Sequence, residues 1–208
     1  MVSISGLYAI TPDWTDPARI DAAVAAAIRG GARIVQVRSK QPAPLRRAIT
    51  ERVLATCRRH DVRCLVNDDL ELAVALRADG VHLGRDDGAI EPARERLGDN
   101  AIIGVSCYGD FANALANPSA TYVAFGSVFV SGTKPGAPRA SLALFGQARA
   151  AGINAVAIGG ITRENAASVI EAGADAICVI GELFGSGQPD QIEANARALS
   201  RLFDRDAA

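Results

Sequence analysis

The chain has 208 residues, with 22 Lys and Arg against 23 Asp and Glu and a formal net charge of -1. That balance argues against a polybasic protein of nucleic acid or membrane surfaces and for a handler of small ligands. Hydrophobic residues make up 49% and aromatic ones 5%, enough to bury one core across residues 1–208 but too few rings for a stacking platform on single strands. The four cysteines, Cys57, Cys64, Cys107 and Cys178, form no CxxC pair and read as reduced structural thiols. No apolar run reaches about 18 residues and no basic n-region opens the chain, so a soluble, cytoplasmic protein is expected.

In chain order, short β-branched runs bounded by Gly, Asp or Pro predict strands at Leu7–Ile10, Ile34–Arg38, Cys64–Asn67, Gly80–Leu83, Ile102–Ser106, Tyr122–Gly126, Ala155–Gly159 and Ala176–Val179. Helical patterns fall between them at Asp16–Arg29, Leu45–His60, Glu71–Ala78, Glu91–Leu97, Leu142–Ala151 and Asn165–Ala172. Eight apolar strands with helical crossovers predict a single small (β/α)8 barrel of the α/β class, nearly free of insertions. A doubly wound sheet is the alternative, but Leu7-Tyr8-Ala9-Ile10-Thr11-Pro12 lacks the G-x-G-x-x-G that a dinucleotide needs there. The tail after Phe203 is expected to fray.

In such a barrel the chemistry sits at the C-terminal strand ends. Alternation after the second strand places Gln36, Arg38 and Lys40 on one face, where two cations fit a phosphate or pyrophosphate; solvated loop charges are the plainer alternative. The third and fourth strands run into Asn67-Asp68-Asp69 and Arg85-Asp86-Asp87. Asp68 and Asp87 suit Mg2+ shared with phosphate oxygens, or else cap the helices that follow, a role that fits Asp69 and Asp86 better. His82 reads as a satisfied structural imidazole and His60 as a residue of a helix's last turn. Ser106 lacks a G-x-S-x-G elbow, which leaves it a hydrogen bond to substrate or leaving group, or a helix cap. Residues 126–138 read as a functional lid or a merely permissive loop, with Lys134 as a further anion ligand. Gly159-Gly160 and Gly181 stand where barrels hold phosphate on backbone N–H groups, so two separate phosphorylated groups are expected.

Leu7-Tyr8-Ala9-Ile10-Thr11, Gln36-x-Arg38-x-Lys40, Val66-Asn67-Asp68, Gly80-Val81-His82-Leu83-Gly84-x-x-Asp87, Ile103-Gly104-Val105-Ser106, Thr133-Lys134-Pro135 and Ala157-Ile158-Gly159-Gly160-Ile161 together resemble the thiamine phosphate synthase (thiamine-phosphate pyrophosphorylase) family. The resemblance covers almost the whole chain. It implies a transferase of thiamine biosynthesis that joins 4-amino-2-methyl-5-hydroxymethylpyrimidine diphosphate to 4-methyl-5-(2-phosphoethyl)thiazole and releases pyrophosphate. It implies that Gln36, Arg38, Lys40, Asn67, Ser106 and Lys134 hold the diphosphate substrate, with Arg38, Ser106 and Lys134 catalytic. It further implies that Asp68 and Asp87 hold one Mg2+ per subunit and that Ser131, Thr133, Gly160, Ile180 and Gly181 hold the thiazole phosphate. Its partners would be two small phosphorylated substrates, with neither nucleic acid nor membrane, and a homo-oligomer stays open. Arg85, Ser39, Asp69, Ser131 and Gly181 depart from the family's usual Gln, Glu, Arg, Thr and Ser, and Ser127 and Val130 replace common prolines. The competing readings are a thiazole tautomerase-like paralogue and a non-catalytic sensor of phosphorylated ligands on the same barrel.

Overall fold

The computed structural model describes residues 4–84, 87–130 and 139–204. Strands β1 (Gly6–Ile10), β2 (Ala32–Val37), β3 (Arg63–Asn67), β4 (Gly80–Leu83), β5 (Ile102–Tyr108), β6 (Tyr122–Gly126), β7 (Ala155–Ile158) and β8 (Ala176–Val179) pair in sequence order. Every pairing is parallel, and β1 meets β8 to close a (β/α)8 barrel without a sheet edge. Between them lie α1 (Pro17–Arg29), α2 (Ala43–Arg59), α3 (Leu70–Ala75), α4 (Ile90–Leu97), α5 (Phe111–Leu115), α6 (Ala143–Ala150) and α7 (Ala166–Glu171); α8 (Gly181–Phe184) and α9 (Pro189–Ser200) follow the last strand.

Alternation sorts each strand into two faces. Tyr8, Ile10, Ile34, Leu65, Ile102, Tyr122, Ala124, Val156, Ala176 and Cys178 form one cluster that fills the barrel, while Leu7, Ala9, Val66, Val81, Val105, Val123, Phe125, Ala157 and Ile177 pack outward under the helices. Helix α1 shows why the helical cover forms. The Asp16 carboxylate accepts from the Ala18 and Arg19 N–H groups, Pro17 occupies the first turn, and Ile20, Ala23, Val24 and Ala27 recur along one buried face. All four cysteines are buried free thiols. Among the described residues no helix is long and apolar enough to cross a membrane.

Several boundaries differ from the sequence reading for local reasons. β2 stops at Val37 because both backbone groups of Arg38 turn to the Thr11 hydroxyl, which accepts from the Arg38 N–H and donates to its carbonyl. β7 stops at Ile158 because Gly159 takes a φ of 104°. β5 runs on to Tyr108 through an irregularity between Ser106 and Tyr108, the kind of local bend that re-aims a side chain at a strand end. Helices α5 and α8 are too short to show a period. α9 does carry a signal, Pro189 in its first turn and Ile192, Ala196 and Leu199 at helical spacing. The expected frayed tail lies outside the described residues apart from Asp204.

Candidate active site

The candidate residues that the structure describes gather at the C-terminal mouth of the barrel. Gln36 is buried near the end of β2, whereas Arg38 and Lys40 belong to the connection beyond it. That connection is anchored to the β1 end, since Thr11 holds the Arg38 backbone and the Asp13 carboxylate accepts from the Lys40 N–H at 2.9 Å. Arg38 and Lys40 are therefore placed by their main chains and keep their side-chain charges available.

Two carboxyls share this rim, and the Arg38 charge acts on one of them, Asp68. Asp68 adopts φ 63°, an unusual left-handed conformation for a non-glycine residue, and its N–H donates to the His82 carbonyl at 2.8 Å. Asp87 lies on the far side of Gly84, whose N–H donates to Asp87 Oδ2 at 2.9 Å. A Cβ on Gly84 would stand 2.4 Å from that oxygen and 3.9 Å from Asp68 Oδ1, so glycine permits both carboxyls to close on this point. Asp68 reaches solvent, yet its carboxyl is set far enough into the rim that desolvation, then the hydrogen bond and charge of Asp87, push its pKa up to about 6. The Asn67 amide and the Arg38 charge oppose that shift without cancelling it.

Neither carboxylate is used as a cap. Asp69 caps α3 by accepting from the Leu72 N–H at 2.9 Å and pairs with Arg46 at 3.1 Å, while the N-cap position of α4 is Ala89. The departure at Asp69 thus has a structural account. Two crowded carboxyls, one with a raised pKa, suit a hard divalent cation that removes their repulsion. Among the described residues no group of three or more His, Cys, Asp or Glu side chains gathers.

Ser106 is no helix cap, because Asp110 caps α5. Its hydroxyl lies 2.9 Å from His82 Nε2, and His82 Nδ1 lies 2.9 Å from the Tyr122 hydroxyl. Tyr122 in turn meets the Tyr8 hydroxyl at 2.8 Å, and Gln36 Nε2 donates to Tyr8 at 2.9 Å. His82 is the satisfied imidazole the sequence suggests, but its partner is a site residue. Burial pulls its pKa down to about 4, against a weaker upward pull from Asp87, so it is neutral at ordinary pH. Burial likewise raises both tyrosines well above their usual range. Spacing along the chain gave no sign of this network. The usable signal was parity, because Tyr8, Gln36, His82, Ser106 and Tyr122 occupy inward positions on five strands.

Gly160 follows β7, Ile180 follows β8, and Gly181 opens α8. Gly160 has φ 65°, and a Cβ there would stand 2.3 Å from the Val130 carbonyl oxygen, so only glycine lets the segment after β6 approach β7. The Phe129 N–H donates to the Gly159 carbonyl and fixes that approach. Among the described residues, nothing beyond its own neighbours lies within 4 Å of the position a Gly181 Cβ would take. Ser131, Thr133 and Lys134, with Arg85 and Asp86, lie outside the described residues.

Comparison with known proteins finds relatives over nearly the whole chain. The family model described as thiamine monophosphate synthase matches residues 7–183. The thiamine-phosphate synthase of Chromobacterium violaceum is 53% identical over 203 residues, covering 96% of this chain and 97% of its own, and that of Methylobacillus flagellatus is 50% identical over 204 residues, covering 97% and 96%. The solved thiamine phosphate pyrophosphorylase from Pyrococcus furiosus superposes with a TM-score of 0.83 at 31% identity, covering 98% of this chain and 97% of that one. A tryptophan synthase from Mycobacterium tuberculosis, 16% identical with a TM-score of 0.73 and coverage of 95% and 92%, shares the fold alone. By the family-model match over residues 7–183 and the relatives' identity, this chain belongs to the thiamine monophosphate synthase family.

Proposed function

We propose that the protein condenses 4-amino-2-methyl-5-hydroxymethylpyrimidine diphosphate with 4-methyl-5-(2-phosphoethyl)thiazole to give thiamine phosphate and pyrophosphate. The observation that carries this reading is the convergence of Asp68, Asp87, Arg38 and Ser106 at one end of a barrel whose family and full-length relatives bear the name of that synthase. A pyrophosphate leaving group needs cations and donors at the departing oxygens, and this mouth offers them.

The chemistry needs no protein nucleophile. The C–O bond to pyrophosphate breaks with its electron pair leaving on oxygen, the positive charge left on the pyrimidine methyl carbon is shared with the ring's amino group, and the thiazole nitrogen donates its pair to that carbon. When bound at Asp68 and Asp87, Mg2+ supplies charge neutralisation to the diphosphate. Arg38, Lys40 and Lys134 hold the diphosphate oxygens, Gln36 and Asn67 orient the pyrimidine, and Ser106 donates a hydrogen bond near the departing oxygen. Ser131, Thr133, Gly160, Ile180 and Gly181 receive the thiazole phosphate, so that the ring nitrogen faces the cationic carbon. The departures at Arg85, Ser39 and Gly181 delete no charge this scheme uses.

The test mixes purified protein with both substrates and Mg2+ and follows thiamine phosphate and pyrophosphate together. Equal amounts of both are expected. Isomerisation of a thiazole carboxylate phosphate without condensation would replace this reading with the tautomerase, and binding without turnover would replace it with the sensor.

A further inference from the structure

The five-residue chain through the barrel core has a direction. Gln36 Nε2 donates to Tyr8 Oη, so the hydrogen of Tyr8 points to Tyr122, that of Tyr122 to His82 Nδ1, and that of His82 Nε2 to Ser106 Oγ. With Gln36 as donor, only this order places every internal hydrogen in an observed bond. Reversing either link to Tyr122 would orphan a buried tyrosine hydrogen, which the interior penalises, and reversing the last link alone would leave the imidazole without an N–H. The whole chain can be reversed only by turning over the Gln36 amide, which would leave Ser106 donating inward to His82 and offering lone pairs to an arriving anion.

We propose that Tyr8, Tyr122 and His82 are positioning residues that polarise this chain, holding Ser106 as a hydrogen-bond donor to the departing pyrophosphate while Gln36 keeps its carbonyl oxygen for the pyrimidine's amino group. The inference rests on the reaction proposed above and extends it to three residues to which that reaction gives no substrate contact. Ser106, partly exposed near the end of β5, is the end of the chain nearer the mouth of the barrel, and Gln36 is its buried end on β2. Gln36 meets the chain through its Nε2, and Ser106 accepts from His82 in this polarity, so its own hydrogen is free to face the site. Recognition of an amine at one end and donation to an oxyanion at the other belong to this one polarity of the chain. Gly104 serves the same geometry, since a Cβ there would stand 2.1 Å from Tyr122 Cζ and would displace the ring.

Two measurements test this, one of them independent of turnover. The chain contains two histidines, so 15N NMR of the imidazoles, with His60→Gln to assign the second, reads the His82 tautomer directly. Protonated Nε2 with bare Nδ1 is expected, and the opposite tautomer overturns the polarity. In kinetics, Ser106→Ala is expected to lower kcat on the order of 100-fold, as removal of one oriented donor does. Tyr122→Phe, which keeps the ring, lowers kcat less and leaves KM for the thiazole phosphate unchanged. The double variant Ser106→Ala/Tyr122→Phe turns over no more slowly than Ser106→Ala alone, because Tyr122 acts only through Ser106. Losses that multiply would make Tyr122 a merely structural residue and overturn the proposal. Tyr8→Phe repeats the cycle if Tyr122→Phe does not fold. A wild-type protein without turnover would instead refute the proposed reaction, with the tautomer still deciding the chain's direction.

Discussion

Asp68 carries the sharpest conflict between stability and chemistry. Its carboxyl titrates near 4 when unfolded and at about 6 in the folded protein, so the folded state binds more protons in that window. The sign follows directly. Stability from this group is present below the lower pKa and is lost as pH rises through about 6, so at pH 7 the ionised pair with Asp87 disfavours the fold. Asp68→Asn should therefore raise the melting temperature of the metal-free protein at pH 7, with the gain shrinking as pH falls through 6 and gone below about 4. Thermal melts at matched pH check this, and an unchanged or lower melting temperature at pH 7 would contradict it. Turnover should move the other way. Losing an outer-shell partner of a metal costs roughly 10- to 100-fold, and losing Asp68 should cost no less. The wild-type enzyme should lose turnover as pH falls through 6, as a proton competes for the same oxygens. Asp87→Asn keeps an acceptor for the Gly84 N–H but removes the charge that adds to desolvation in raising Asp68, so the midpoint of the remaining Mg2+-dependent rate should shift to lower pH.

Strand ends and helix starts divide the work between neighbouring residues. In Asn67-Asp68-Asp69, the positive φ of Asp68 turns its carboxyl toward Asp87, and the next residue caps α3 and pairs with Arg46. Asp69→Ala should cost about 1 kcal/mol of stability, the usual penalty for losing a cap, read as a lower denaturant midpoint at unchanged slope. At the next strand, Gly104 lies in register with both His82 and Tyr122. Gly104→Ala would drive a Cβ into the Tyr122 ring and should cost about 1–3 kcal/mol as overpacking, with a fall in turnover beyond that of a stable surface variant. The elements themselves were legible from composition and punctuation, because buried strands of β-branched residues alternate with capped, Ala-rich helices. The cationic and acidic strand ends were legible because parity and polarity suffice to mark them. The Ser106–His82–Tyr122 contacts were not, since they depend on the stagger between β4, β5 and β6, and stagger leaves no trace in spacing along one chain. The split roles of Asp68 and Asp69 were hidden for a related reason, as only the backbone turn decides which of two adjacent aspartates caps.

Closure makes the barrel one cooperative object, and its final helix tests that. The match to the family model ends at residue 183, yet α9 beyond it buries Ile192, Ala196 and Leu199 and packs along α1. The approach is close. A Cβ on Gly30 would stand 2.4 Å from the Ala196 Cβ and 2.5 Å from the Glu193 carbonyl oxygen, and Arg29 reaches across to the Glu193 carboxylate at 2.8 Å. Because β1 pairs with both β2 and β8, uncovering α1 loosens the layer that shields the seam where the barrel closes. Burying Ile192, Leu199 and Ala196 is worth roughly 5 kcal/mol at the usual 1.5–3 kcal/mol for a large side chain and less for alanine. That is comparable with the whole stability of a typical domain, about 5–15 kcal/mol. Ending the chain after Gly187 should therefore abolish or drastically lower the cooperative thermal transition, although every candidate site residue is still present. Gly30→Leu in the full-length chain should produce a milder form of the same defect by prying α9 from α1. A truncated protein that melts cooperatively near the full-length temperature would show that α9 is dispensable and that the barrel's closing seam is held by strand pairing alone.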